Sequence, residues 1–173
     1  QGKVIYSDDK RQAIRILGTH TDITERKLAL QALQISEDRL SKTLLASNDG
    51  YWDWDLLTNE VYFSERYYQM AGYAVNEFPH KFEEFKKRVH PEDLDRVLVV
   101  SEKHLKGEVD RFEVEFRFLR KDGTWMWIQG RGLITEKDAD GHPVRFTGTH
   151  TDITDRVRAA RELENAYRTS NDI

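Results

Sequence analysis

The chain has 173 residues, of which 38% are hydrophobic and 34% charged, enough for one ordinary domain with attachments. No stretch reaches the apolar length of a membrane-spanning helix, and zero cysteines exclude a disulfide framework, a cysteine nucleophile and thiolate metal sites. A net charge of −4 with both signs interspersed argues against a nucleic-acid partner, and the lack of cysteine fits a reducing, cytoplasmic setting.

The first segment is legible through a repeat. Gly18-Thr19-His20-Thr21-Asp22-Ile23-Thr24 recurs letter for letter from Gly148 to Thr154, an offset of 130 residues. The match extends without gaps to Gly2 and Gly132, Asp8 and Asp138, Arg15 and Arg145, and Arg26 and Arg156. A generic strand-to-helix junction explains similar chemistry but not the same letters. Residues 1–24 are therefore expected to be the closing strands of a preceding domain, and residues 47–154 the one complete copy. The opening Gln1, in place of Met, fits a piece of a longer protein.

Residues 25–46 read as a linker helix, N-capped by Asp22 or Thr24 at about 1 kcal/mol. Ile23, Arg26, Leu30, Leu33, Glu37, Leu40 and Leu44 fall at alternating three- and four-residue steps, a heptad seam interrupted by Arg26 and Glu37. Such a stripe packs either on its own domain's sheet or on a partner chain's helix.

In the complete copy, Tyr51-Trp52-Asp53-Trp54-Asp55 alternates aromatic and acidic residues at strand period. Thr58-Asn59 offers a turn into a second strand at Val61-Tyr62-Phe63. Ser64 is placed to N-cap a short helix that Gly72 stops, and Asn76–Val89 predicts short helices and loops. His90-Pro91-Glu92-Asp93 starts a longer helix, with proline in the first turn and acids at its positive end. Phe112, Val114, Phe116 and Phe118 alternate with charged residues in a half-buried strand. Turns at Asp122-Gly123 and Asp140-Gly141 separate it from strands at Thr124–Glu136 and Val144–Asp152. Trp125 and Trp127 face one side of this sheet and Met126, Ile128 and Ile134 the other. Both sides must be covered, one by a pocket and the other by the preceding helix or a second protomer. Residues 155–173 form an outgoing helix capped by Asp152 or Thr154, which repeats the register of the first through Ile153, Arg156, Ala160, Leu163 and Tyr167. Grouped helices between runs of strands predict an α+β fold, an antiparallel five-stranded sheet with short helices on one face.

These pieces carry a resemblance. Tyr51-Trp52-Asp53-Trp54-Asp55, His90-Pro91-Glu92-Asp93, Arg120-Lys121-Asp122-Gly123 with Trp127, and Gly148 through Thr154 resemble, in order and spacing, the PAS family with a C-terminal PAC motif. The resemblance spans 47–154, and residues 2–24 are similar to the end of the same motif. It implies a sensory module of a multidomain, bacterial-type signalling protein of histidine kinase or diguanylate cyclase kind. The implied partners are a second copy in a homodimer, neighbouring PAS and output domains of the same chain, and a small-molecule ligand. No direct membrane insertion is expected. A flavin-binding redox sensor and a passive interaction spacer are the alternatives.

The catalytic motifs are missing: no phosphate-cradling glycine loop, no His-Glu-x-x-His, no cyclase Gly-Gly-Asp/Glu-Glu-Phe and no phospho-acceptor box. The chain is accordingly expected to be no enzyme and to have no metal site; His20 and His150 have no evident third ligand. The cofactor is left open, with none, FAD or haem as the choices. Flavin photoadduct chemistry needs a cysteine and is excluded. Haem would need an axial ligand from the long helix, where His104 alone is available, near its end and expected to be partly exposed. Strand parity and the implied topology nominate Phe63, Tyr67, Phe112, Phe116, Ile128 and Thr147 as pocket lining. Asp152, Ile153, Thr154 and Leu163 are nominated as signal relay, and Leu30, Leu33, Leu40 and Leu44 as the linker seam.

Overall fold

Two antiparallel strands, β1 (Gly2–Tyr6) and β2 (Ala13–Gly18), precede a 24-residue helix, α1 (Thr24–Ser47), in the computed structural model, which describes residues 2–6 and 13–171. The chain divides into two compact units, Gln1–Thr43 and Leu44–Ile173. In the first, Gly2 lies opposite Gly18, Lys3 opposite Leu17 and Val4 opposite Ile16. The second unit repeats that pairing 130 residues on, with Gly132 opposite Gly148, Leu133 opposite Thr147 and Ile134 opposite Phe146. The helix start repeats too: Thr24 N–H donates to Asp22 Oδ1 at 2.8 Å, and Thr154 N–H to Asp152 Oδ1 at 2.9 Å.

Along α1 the side chains of Leu28, Leu30, Leu33, Ile35 and Leu40 are all more than half exposed. The expected seam through Leu30, Leu33 and Leu40 is one of two apolar stripes. Leu28 and Ile35, one heptad apart, form another across the helix. The helix includes Leu44, whose side chain lies outside the described residues.

The second unit begins with β3 (Gly50–Asp55) and β4 (Glu60–Phe63), then α2 (Glu65–Met70), α3 (Phe82–Arg88) and α4 (Pro91–Leu105). It ends with β5 (Phe112–Leu119), β6 (Trp125–Lys137), β7 (Pro143–Asp152) and α5 (Thr154–Asn171). The five strands make one antiparallel sheet in the order β4-β3-β7-β6-β5. Local chemistry sets the boundaries. Ser64 Oγ accepts from the N–H of Tyr67, capping α2, and from the N–H of Tyr51, tying the helix to β3. Gly123 adopts φ +85° in the turn between β5 and β6, a left-handed conformation that glycine takes without strain.

The period-2 pattern of β5 buries Phe112, Val114, Phe116 and Phe118 on one face, where they meet Met126 and Ile128 of β6 and Phe146 of β7. Tyr67 and Tyr68 of α2 and Val97 of α4 close the core from above. The opposite face keeps Trp125 38% and Leu133 49% exposed. Within this unit the helix that reaches that face is the outgoing one: Arg156 pairs with Glu115, and the Arg161 guanidinium lies 5.3 Å from the Trp127 ring. Among the described residues no helix is long and apolar enough to cross a membrane.

The His90–Asp93 segment is a docking device. His90 caps α4 by accepting from Glu92 N–H at Nδ1, and its own N–H donates to Arg117 O. Buried Asp93 accepts from the Arg117 backbone N–H at 2.9 Å and from its guanidinium at 2.9 and 3.0 Å. The Arg117 side chain and backbone N–H hold the Asp93 carboxyl at about 2. Asp93→Ala is expected to lower stability by about 2–3 kcal/mol, because it leaves the Arg117 amide without a partner. Urea unfolding followed by tryptophan fluorescence reads this, and a loss below about 1 kcal/mol would show that the pair does not hold α4 to β5.

Candidate functional site

Three glycines shape the centre of the sheet. Gly130 and Gly132 of β6 and Gly148 of β7 sit on its core face, where the indole of Trp52 lies against Gly132 and Gly148 and the rings of Phe112 and Phe116 lie against Gly130. A methyl group built on Gly148 would come within 2.4 Å of that indole, and one on Gly132 within 2.8 Å. The ring fills space that ordinary side chains would occupy. Above this floor lies a cavity of about 40 Å³. Phe63, Tyr67, Phe112 and Phe146 wall it, and Phe82, Phe85 and Val97 roof it.

Two polar side-chain atoms of this lining lack partners, whereas the Trp54 indole N–H donates to Asn59 Oδ1 at 3.0 Å. Trp52 Nε1 and Tyr67 Oη are buried without a hydrogen-bond partner. His150, 3% exposed, makes no side-chain hydrogen bond and packs among rings instead, with centroids 5.0 Å from Tyr67, 5.3 Å from Phe116 and 5.7 Å from Phe85. Burial away from water pushes the His150 imidazole down to about 3, so it is neutral, and pushes the Tyr67 hydroxyl far above its ordinary range. Among the described residues, no lysine, arginine, aspartate or glutamate lines the cavity.

Of the nominated lining residues, Phe63, Tyr67 and Phe112 border the cavity. Phe116 and Ile128 are buried on the same face, within the core around it and outside its lining. Thr147 is a correction: it faces the other side of the sheet, beside Tyr51, Leu133 and Thr149. Inward-facing Phe146 and His150 fix that parity, and the bare Gly148 between them hides it from a sequence pattern. Trp52, Phe146 and His150 were missed as lining. The available signal was glycine at alternate positions of β6 and β7, beneath an aromatic strand.

The cavity does not fit a large cofactor. Pockets for drug-sized and cofactor-sized ligands run to about 300–1,000 Å³, many times the volume present, so neither flavin nor haem has room in this arrangement. His104 offers no axial ligand either, and it is 4% exposed, not partly exposed as expected. Its Nε2 accepts from Ile134 N–H at 3.2 Å, so Nδ1 carries the proton and donates to Val109 O at 3.0 Å. β5 begins opposite Gly132, leaving the Ile134 amide beyond the strand's reach, and the imidazole supplies the acceptor. The exposed turn residues Asp138, Asp140 and His142 bring three ligand groups together, but Asp138 Oδ1 already accepts from the N–H groups of Asp140 and His142.

The relay candidates meet at the end of the sheet. Trp127 N–H donates to Thr154 Oγ1 at 3.0 Å, Ile153 N–H donates to Trp127 O at 2.9 Å, and Thr154 Oγ1 donates to Asp152 Oδ1. The α5 cap is thus hydrogen-bonded to β6. Leu163, farther along α5, is 60% exposed and takes no part in this junction.

A family model described as PAS fold matches residues 60–150. A crystal structure of a sensory box histidine kinase/response regulator from Burkholderia thailandensis E264 is 30% identical with a TM-score of 0.67, covering 78% of this chain and 99% of that one. The N-terminal domain of a diguanylate cyclase with PAS/PAC sensor from Marinobacter aquaeolei is 23% identical with a TM-score of 0.55, covering 61% and 95%, and speaks for the fold alone. Hybrid signal transduction histidine kinase A of Dictyostelium discoideum is 41% identical over 51 residues, a match spanning 30% of this chain and 2% of that protein.

Proposed function

The chain belongs to the PAS family, and on that premise we propose that it is a sensory module that passes a conformational bias from its sheet to the helix α5. The observation that carries this is the junction at Thr154. Asp152 Oδ1 caps the outgoing helix by accepting from Thr154 N–H, and the Thr154 hydroxyl, which donates to the same oxygen, accepts from the β6 backbone, so a shift of β6 at Trp127 changes the cap. Similarity to the Burkholderia sensory box kinase supports a place in a multidomain signalling protein, with output in a kinase or cyclase domain elsewhere in that protein and no catalysis in this chain.

The repeated pairing of Gly2 with Gly18 and the repeated Asp22–Thr24 cap support residues 1–24 as the tail of a preceding copy, joined by residues 25–46 to the complete domain at 47–154. The exposed seam of α1 and its recurrence at Leu163 in α5 support a homodimer packed through both helices. The core site is the place for a small-molecule input.

Thr154→Ala is expected to raise amide exchange in the first turn of α5 about fivefold, the equivalent of about 1 kcal/mol for the lost hydroxyl bonds to Asp152 and Trp127, with β3 to β5 unchanged. In the intact parent protein, Thr154→Ala combined with Leu163→Ala should alter output. Unchanged output from that double variant would sink the relay.

A further inference from the structure

The unpaired atoms of the core cavity specify a ligand. A buried donor without a partner is costly, and native interiors seldom keep two such residues around one cavity without a use. Here Trp52 Nε1 and Tyr67 Oη are both orphaned in the lining of one cavity, and the unpartnered ring of His150 lies 5.0 Å from that of Tyr67. The indole can only donate, and the phenol donates readily, so the matching ligand atom is an acceptor oxygen. Among the described residues no charged side chain lines the cavity to balance an ion, and a buried unpaired charge is far more costly than a buried dipole. Apart from Ser101, the remaining walls are phenylalanine, valine, Leu98 and the ring of Trp54, which suit a methyl or methylene group. A volume of about 40 Å³, set against the roughly 10–15 Å³ of such internal space that one water needs, admits a ligand of about two to four heavy atoms.

We propose, resting on the reading of this domain as sensory, that the cavity is a receptor for a small uncharged molecule bearing a carbonyl-type oxygen, held by the Trp52 N–H and the Tyr67 hydroxyl with His150 alongside. His150 completes the set as a neutral imidazole, one nitrogen donating and the other accepting. The recognised feature is a polar oxygen on an apolar stub, which excludes anions such as acetate at neutral pH.

The test uses the full 173-residue chain, labelled with ¹⁵N and titrated at pH 7 with acetamide as the probe and sodium acetate as the charged counterpart. Acetamide should move the Trp52 indole N–H resonance saturably and leave those of Trp125 and Trp127, outside the cavity, in place, while acetate should move none. Tyr67→Phe removes only an unpartnered hydroxyl, keeps the fold, and should weaken acetamide about tenfold, the effect of one lost hydrogen bond to a buried ligand. Val97→Leu, which adds a methylene at the roof, should abolish the saturable shift. No saturable shift, acetate binding as tightly as acetamide, or a Tyr67→Phe variant with unchanged affinity would each overturn the proposal. Saturable binding without any change in amide exchange at the start of α5 would instead overturn the relay and leave the receptor standing.

Discussion

Gly148→Ala should destabilise the five-stranded unit by about 3–5 kcal/mol, enough to unfold a domain of ordinary stability in mild denaturant. The added methyl would lie 2.0 Å from the Arg131 carbonyl oxygen and 2.4 Å from the Trp52 indole. Neither can give way cheaply, since the first is backbone in the β6–β7 ladder and the second is buried against the rings of Phe112 and Phe146. Gly107→Ala is the contrast. Nothing lies within 4 Å of its added methyl, and the left-handed φ of +75° is the sole penalty, about 1–2 kcal/mol. Urea midpoints followed by tryptophan fluorescence separate the two, because all four tryptophans lie between residues 52 and 127. A Gly148→Ala protein within about 1 kcal/mol of the parent would show that the floor is softer than its contacts imply.

Mild acid should destabilise this unit through His150. The unfolded chain takes up a proton there below its ordinary value of 6.5, whereas the folded chain resists protonation down to about 3. The unfolded state binds more protons in that interval, so stability is full above pH 6.5 and falls as pH drops, by about 1.4 kcal/mol per unit. At pH 5 the loss is about 2 kcal/mol. The depressed carboxylates act lower: Asp93, held at about 2 by Arg117, loses its contribution only as pH falls below about 4. His150→Leu should therefore flatten the stability curve between pH 6.5 and 4.5 and leave the steeper acid limb in place. A parent protein equally stable at pH 7 and pH 5 would mean that water or another group reaches the imidazole.

Much of this molecule is written in local pattern. Alternation at Phe112–Phe118 set both the strand and its buried face, because a pleated strand sends successive side chains to opposite sides. His90-Pro91-Glu92-Asp93 announced a helix start through proline geometry and acidic charge, and α4 begins at Pro91. The letter-for-letter repeat at Gly18 and Gly148 carried over to strand pairing, since the same residues meet the same neighbours.

What sequence alone determined, then, is the set of elements, their caps and turns, and the family to which they add up, because each depends on neighbours a few residues apart. Tertiary structure alone decided the use of the glycines and histidines. Gly148 matters because Trp52 crosses it, His104 because β5 begins too late to pair with Ile134, and His150 because five rings surround it. A side chain's partner across a sheet lies up to about a hundred residues away along the chain, and its chemistry is set by that distant partner.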